Sequence, residues 1–159
     1  MARLSGTITV AAVGKLRAAH WRAAQQDYLK RLRRYTQVQL VEVKDAVGRG
    51  LPDAVAMQRE GAALLTAAKD ARRIIALHAA GKQMDSLQLA KFLRKQIEVY
   101  GRVAFLIGGP VGLSTEVLEA CDDQFSLSAL TFPHELARVM LLEQLYRAAT
   151  ILSGEKYHK

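Results

Sequence analysis

Strand-like and helix-like segments alternate along this chain from end to end, which restricts it to an α/β layer fold around a mostly parallel sheet flanked by helices. Thr7 to Val13 (TITVAAV) reads as a buried strand, the end of an N-terminal stretch from Met1, and stops at Gly14. Ala18 to Arg34 reads as a helix with Trp21, Tyr28, Leu32 and Tyr35 along one stripe. Val38 to Val43 (VQLVEV) is β-branched and partly alternating, as suits a strand near a sheet edge. Gly48, Gly50 and Pro52 punctuate a loop before a helix over Asp53 to Lys69, and Arg73 to His78 (RIIALH) is a short buried strand. Asp85 caps the next helix with Gln88 in capping-box position, while Leu89, Leu93, Ile97 and Tyr100 line its inner face. Val103 to Ile107 (VAFLI) is the clearest core strand. Ser114 then caps a short helix, with Glu116 placed to favour its dipole. Phe125 to Leu127 is a last short strand, and Pro133 opens a closing helix that runs to about Leu152. No linker, repeat or low-complexity tract interrupts the series, so residues 1–159 read as a single domain.

The closing helix is apolar nearly all round. At ~100° per residue its apolar side chains leave only a narrow side for Glu143, Arg147 and Thr150. One face can cover the chain's own sheet. The remainder implies either a partner subunit, the simpler reading, or a helix sunk deeper in its own core.

Charge gives the first functional pointer. Lys and Arg number 23 against 15 acids, a formal net charge of +8. The excess is clustered at Lys30 to Arg34, at Arg72-Arg73 and at Lys91 with Arg94-Lys95, with Trp21, Tyr28 and Tyr35 near the first cluster. Each cluster alone fits a solvated helix face; together they favour a nucleic-acid partner. Apolar runs fall short of a membrane span, and the N-terminus lacks the h-region and cleavage site of a signal peptide. The single cysteine, Cys121, excludes an intrachain disulfide and reads as a small buried hydrophobe. A cytoplasmic protein is expected.

Ligands of open α/β sheets bind beyond the carboxyl ends of strands. Three loops there stand out: His78 to Lys82 after Leu77, Gly108 to Gly112, and Leu127 to Phe132 leading into Pro133-His134. Gly108, Gly109 and Gly112 leave backbone groups open to a flat ligand. Their spacing matches neither a dinucleotide fingerprint nor a Walker A loop. The third loop, Leu127-Ser128-Ala129-Leu130-Thr131-Phe132, suits a neutral purine and a thioether better than phosphates. His20 and His78 read as structural; His134 and His158 are better candidates for chemistry. No metal-ligand spacing is present, so no metal is expected.

The segments 105–114 (FLIGGPVGLS), 126–134 (SLSALTFPH), 138–148 (RVMLLEQLYRA) and 157–158 (YH) resemble the RlmH family. These are SPOUT-class methyltransferases that use S-adenosylmethionine to methylate N3 of a pseudouridine in 23S rRNA. The resemblance implies a C-terminal trefoil knot, which general folding rules disfavour, and a homodimer acting on ribosomal RNA within the ribosome. It places the cofactor against Leu77, Gly108 and Leu127 to Phe132, with Gly109 and Gly112 in the same turn. Val111 departs from a common Glu, and Lys159 from a common Arg, which loses a guanidinium fork for phosphate. N3 must shed a proton during methyl transfer. His134 is the expected proton acceptor, with His158 as the alternative. Arg138, Arg147, Tyr157 and His158 are expected to position RNA and stabilise the anion, the tail of one subunit reaching the cofactor of the other. For Arg138 and Arg147 the competing expectation is helix-surface pairing with Glu135 and Glu143. Three other functions fit the residues: a non-enzymatic RNA- or ribosome-binding module, a flavodoxin-like nucleotide or flavin domain, and a SPOUT methyltransferase acting on tRNA.

Overall fold

The computed structural model describes residues 4–159; the opening stretch at residues 1–3 lies outside them. In chain order the elements are β1 (Thr7–Val13), α1 (Ala19–Leu32), β2 (Gln37–Val43), α2 (Asp53–Ala67) and β3 (Arg73–Gln83). They continue with α3 (Ser86–Tyr100), β4 (Arg102–Ile107), α4 (Thr115–Ala120), β5 (Asp123–Ser126) and α5 (His134–Leu152). All strand pairs are parallel and the order across the sheet is β2-β1-β4-β3-β5. The alternating pattern thus folds as expected, and β2 takes the edge position its mixed composition suggested.

Successive strand residues point to opposite faces, and both faces are covered. On one, Ile8, Val10 and Ala12 of β1 join Val103, Phe105 and Ile107 of β4 beneath α1, α3 and α5. On the other, the smaller Ala11 and Ala104 lie with Val13 and Leu106 against Leu64 of α2 and Val117 of α4. Three helices over one face and two over the other explain why β1 and β4 read as near-continuous apolar runs.

Two local expectations hold to the atom. Asp85 accepts from the Gln88 amide at 2.7 Å while Gln88 accepts from the Asp85 amide at 2.9 Å. Ser114 Oγ accepts from the Val117 amide at 3.2 Å. Others shift. Pro133 is the N-cap of α5 rather than its first helical residue. The buried stripe of α1 is Gln25, Leu29 and Leu32, with Trp21 and Tyr28 only half-buried. The last strand runs over Asp123–Ser126 rather than 125–127, because Arg73 holds its start through Asp122 at 3.7 Å and Asp123 at 2.9 Å.

Two larger corrections bear on the site. His78 to Lys82, expected as a loop, belongs to β3, which slips register so that both Leu77 and Lys82 face Phe125 of β5. The small Gly81 permits this: a Cβ there would lie 2.7 Å from the Gln124 carbonyl carbon. Helix α5 packs against both α1 and α3 on the sheet, and none of its residues is fully exposed in a single chain. Its apolar breadth is therefore taken up within the protomer. Only Leu136, Ala137, Met140, Ile151 and Leu152 remain as partly exposed apolar residues on it.

Candidate active site

The carboxyl ends of β3, β4 and β5 converge on a cleft of about 220 Å³. Every residue expected to hold the cofactor lines it except Ala129; His78, Ala79, Ile107, Leu113, His134 and Ala137 complete the wall. No Lys, Arg, Asp or Glu is among them, so the cleft is close to neutral. A larger hollow of about 780 Å³ opens at Leu4 to Thr7 and Thr36 to Gln39, but these sit at the amino ends of β1 and β2, the wrong end for this architecture.

Backbone geometry shapes the cleft. The 108–112 turn closes on itself, the Gly112 amide donating to the Gly109 carbonyl at 3.0 Å, with Gly112 at φ +78°. A Cβ on Gly108 would meet the Gly112 carbonyl carbon at 2.8 Å, so only glycine fits. Beneath the turn lies Glu60 of α2. Its Oε2 accepts from the amides of Ala46 (2.8 Å) and Val47 (3.4 Å), while Oε1 is buried without a partner. Sequence reasoning missed this carboxylate, although it sits four residues before Leu64 on the same helix face. On the opposite wall the Ser126 hydroxyl lies 2.9 Å from the carbonyls of both Ala79 and Ser128 and ties β3 to the 127–132 loop. Ser128 Oγ accepts from the Leu130 amide at 3.1 Å, which leaves the Leu130 side chain 69% exposed at the rim.

The five residues expected to do the chemistry fall into three places. His134, at the start of α5, lines the cleft. Arg138 turns inward instead and is 1% exposed. Its Nη1 donates to Glu42 at 2.6 Å and to Gln25 at 3.4 Å; Nη2 donates to the carbonyls of Val13 (3.0 Å) and Gly14 (2.8 Å). Burial pulls its pKa below the usual value, and Glu42 works against that pull. In this arrangement Arg138 faces no solvent-borne ligand, nor does it pair with Glu135: it fastens the end of β1 to β2, α1 and α5.

Arg147, Tyr157 and His158 form a third group. Glu143 Oε1 accepts from Arg147 Nη2 (2.6 Å), Arg147 Nε (3.0 Å) and Tyr157 OH (3.0 Å). The Arg147 guanidinium covers the Tyr157 ring at 4.8 Å, and its Nη1 lies 3.3 Å from His158 Nδ1. Tyr157 also packs edge-on against Tyr146 at 4.7 Å. Burial, with Glu143 beside it, pushes the Tyr157 phenol up to about 12. The expected Arg147–Glu143 pair is present, and Glu143 additionally docks the tail, a role not read from the sequence. None of this group reaches the cleft of its own chain: at ~1.5 Å rise per residue, Arg147 lies roughly 20 Å along α5 from His134.

Cys121 carries no reactive signature, since burial raises its thiol to about 11. Among the described residues no group of three or more His, Cys, Asp or Glu is placed to hold a metal, and no helix is long and apolar enough to cross a membrane.

A parallel sheet whose last strands frame a neutral cleft of glycine and hydroxyl turns is the architecture of a SPOUT methyltransferase, and the family model described as predicted SPOUT methyltransferase matches residues 7–158. A relative from Rubrobacter xylanophilus, ribosomal RNA large subunit methyltransferase H, is 46% identical over 154 residues, covering 94% of this chain and 96% of the relative. The chain belongs to this family. A probable methylase family protein from Haemophilus influenzae shares the fold at TM-score 0.60 and 14% identity, over 96% of this chain and 70% of its own. A putative methyltransferase from Legionella pneumophila, solved with bound SAM, matches at TM-score 0.51 and 14% identity, over 91% of this chain and 67% of its own.

Proposed function

We propose that this protein methylates N3 of a pseudouridine in 23S rRNA with S-adenosylmethionine as donor, working in the cytoplasm as a homodimer. The observation that carries the reading is the split site. The neutral cleft and the Arg147–Tyr157–His158 group lie far apart in one chain, and a second copy brings a tail to each cleft. The cleft alone is also small, below the roughly 300–1,000 Å³ of most ligand sites, so another wall is needed to enclose a cofactor. The trefoil knot of the class belongs to the same reading, and so does action within the ribosome.

The residues present suit this cofactor. The uncharged wall accommodates adenine and does not repel a sulfonium, and the closed glycine turn leaves backbone groups where a side chain would intrude. When bound, S-adenosylmethionine supplies an electrophilic methyl group to the N3 lone pair and leaves as the neutral thioether. His134 takes the N3 proton on its imidazole as the N–C bond forms. The Arg147–Tyr157–His158 group of the second copy orients the RNA, and the arginine of that group stabilises the developing imide anion. Held in line, the reactants need little further catalysis.

The test is mass spectrometry of 23S rRNA from cells lacking the protein. One pseudouridine is expected to lose a methyl group and to regain it with the wild-type gene but not with His134→Ala. Unchanged 23S rRNA, or a loss confined to tRNA, contradicts the proposal.

A further inference from the structure

A second concavity adjoins the cleft. It is a groove of about 610 Å³ over the carboxyl ends of β1 and β2, and it shares His134 and the turn residue Pro110 with the neighbourhood of the cleft. We propose that this groove holds the RNA backbone beside the target nucleotide, with Lys15 and Lys44 as its phosphate ligands. The inference rests on the methyltransferase reading above.

The charge arrangement carries it. Three acids line the groove and each is already engaged. Glu42 accepts from the buried Arg138 at 2.6 Å. Asp45 pairs with Arg49 at 3.1 Å and with Arg17 at 4.0 Å, and Arg49 foremost holds its carboxyl below the usual range. Glu135 accepts from the Arg17 backbone amide at 3.2 Å. Lys15 and Lys44 are exposed and form no ion pair among the described residues. They are also neighbours. Val13 pairs with Val43, and the Gly14 amide donates to the Val43 carbonyl at 2.7 Å, so both lysines leave the sheet from adjacent strand ends, Lys44 directly after β2 and Lys15 two residues after β1.

Two unpaired ammonium groups lining one concave, otherwise balanced wall present a local excess of positive charge. Lysine is a mobile point charge that suits phosphate oxygens, and contacts to phosphate carry no sequence information. A base seated in the cleft next to His134 leaves its flanking phosphates at the groove. The structure therefore separates two tasks: the neutral cleft for methyl donor and base, and the basic groove for the sequence-independent part of RNA affinity.

The experiment titrates the full-length protein against a fluorescein-labelled oligouridine over a series of KCl concentrations, and separately against S-adenosylmethionine by calorimetry. For single strands each neutralised phosphate contributes about 0.7 to the slope of log K against log salt. Lys15→Gln/Lys44→Gln is expected to lower that slope by about 1.4 and to weaken low-salt binding about tenfold or more, with cofactor affinity within about twofold of wild type. A control, Lys69→Gln/Arg102→Gln, at two exposed cations outside the basic clusters, with Arg102 at the amino end of β4, is expected to leave the slope within about 0.3 of wild type. Overturning results are an unchanged slope in the groove variant, an equal fall in the control, or a wild-type protein that ignores the oligouridine. A wild type that binds oligouridine but not S-adenosylmethionine would sink the methyltransferase reading instead.

Discussion

Replacing Arg138 by leucine should lower the unfolding free energy by about 3–5 kcal/mol, because it strips the donor from several acceptors, at about 1–3 kcal/mol for each one left buried and unsatisfied, and from the partly exposed Glu42. The lost guanidinium serves Glu42, Gln25, the last carbonyl of β1 at Val13 and the Gly14 carbonyl just beyond it. At roughly 2–4 °C per kcal/mol for a chain of this size, thermal unfolding should begin roughly 6–20 °C earlier. Arg138→Lys should recover part of the loss, since an ammonium keeps the charge near Glu42 but lacks the fork that reaches both strand ends. Urea denaturation at neutral pH measures this. An Arg138→Leu protein with unaltered stability and weakened RNA binding would return the residue to the RNA-facing role expected from its motif.

Two crippled proteins should rescue each other. Thr131→Trp places a bulky ring into the cleft from an exposed position and should block the cofactor without disturbing the core. Tyr157→Phe/His158→Ala should spare the cleft and remove the tail's polar groups. Each alone should lose about 10²-fold or more in turnover on ribosomes from methylation-deficient cells. Mixed and allowed to exchange subunits, half of the dimers are mixed, and each of these has one site with intact cleft and intact tail. About a quarter of wild-type turnover should return. Rates no higher than those of the separate variants would mean that cleft and tail act within one chain, or not together at all.

How far the sequence could be read follows from the range of each interaction. The Asp85–Gln88 capping box and the Ser114 cap span three residues, so their spacing carried the full information. Arg138 was out of reach: its partners lie 96 residues away at Glu42 and 125 away at Val13, and a motif in one helix cannot reveal them. The breadth of apolar surface on α5 was visible, but whether a sheet and two flanking helices or a partner covers it depends on packing, and the protomer covers most of it. The slipped register of β3 at Leu77 and Lys82 depends on β5, some forty residues on, so the stretch read as a loop. In the candidate site, the glycine and hydroxyl turns were legible as unusual loops at strand ends. Their convergence on one cleft follows from β4, β3 and β5 being neighbours in the sheet, an order that local pattern does not encode. Glu143 was legible as a partner for Arg147 four residues on, but not as the anchor of Tyr157.

The most direct test of the central claim, that the 108–112 and 127–132 turns form one cleft for an adenosyl sulfonium, is calorimetric titration of the purified protein with S-adenosylmethionine. The account predicts saturable binding that Thr131→Trp abolishes. At about a hundredfold excess over the dissociation constant, the wild type should also gain about 2.7 kcal/mol of stability. A well-folded wild type that takes up no S-adenosylmethionine, or a Thr131→Trp variant that binds it as well as the parent, would contradict it.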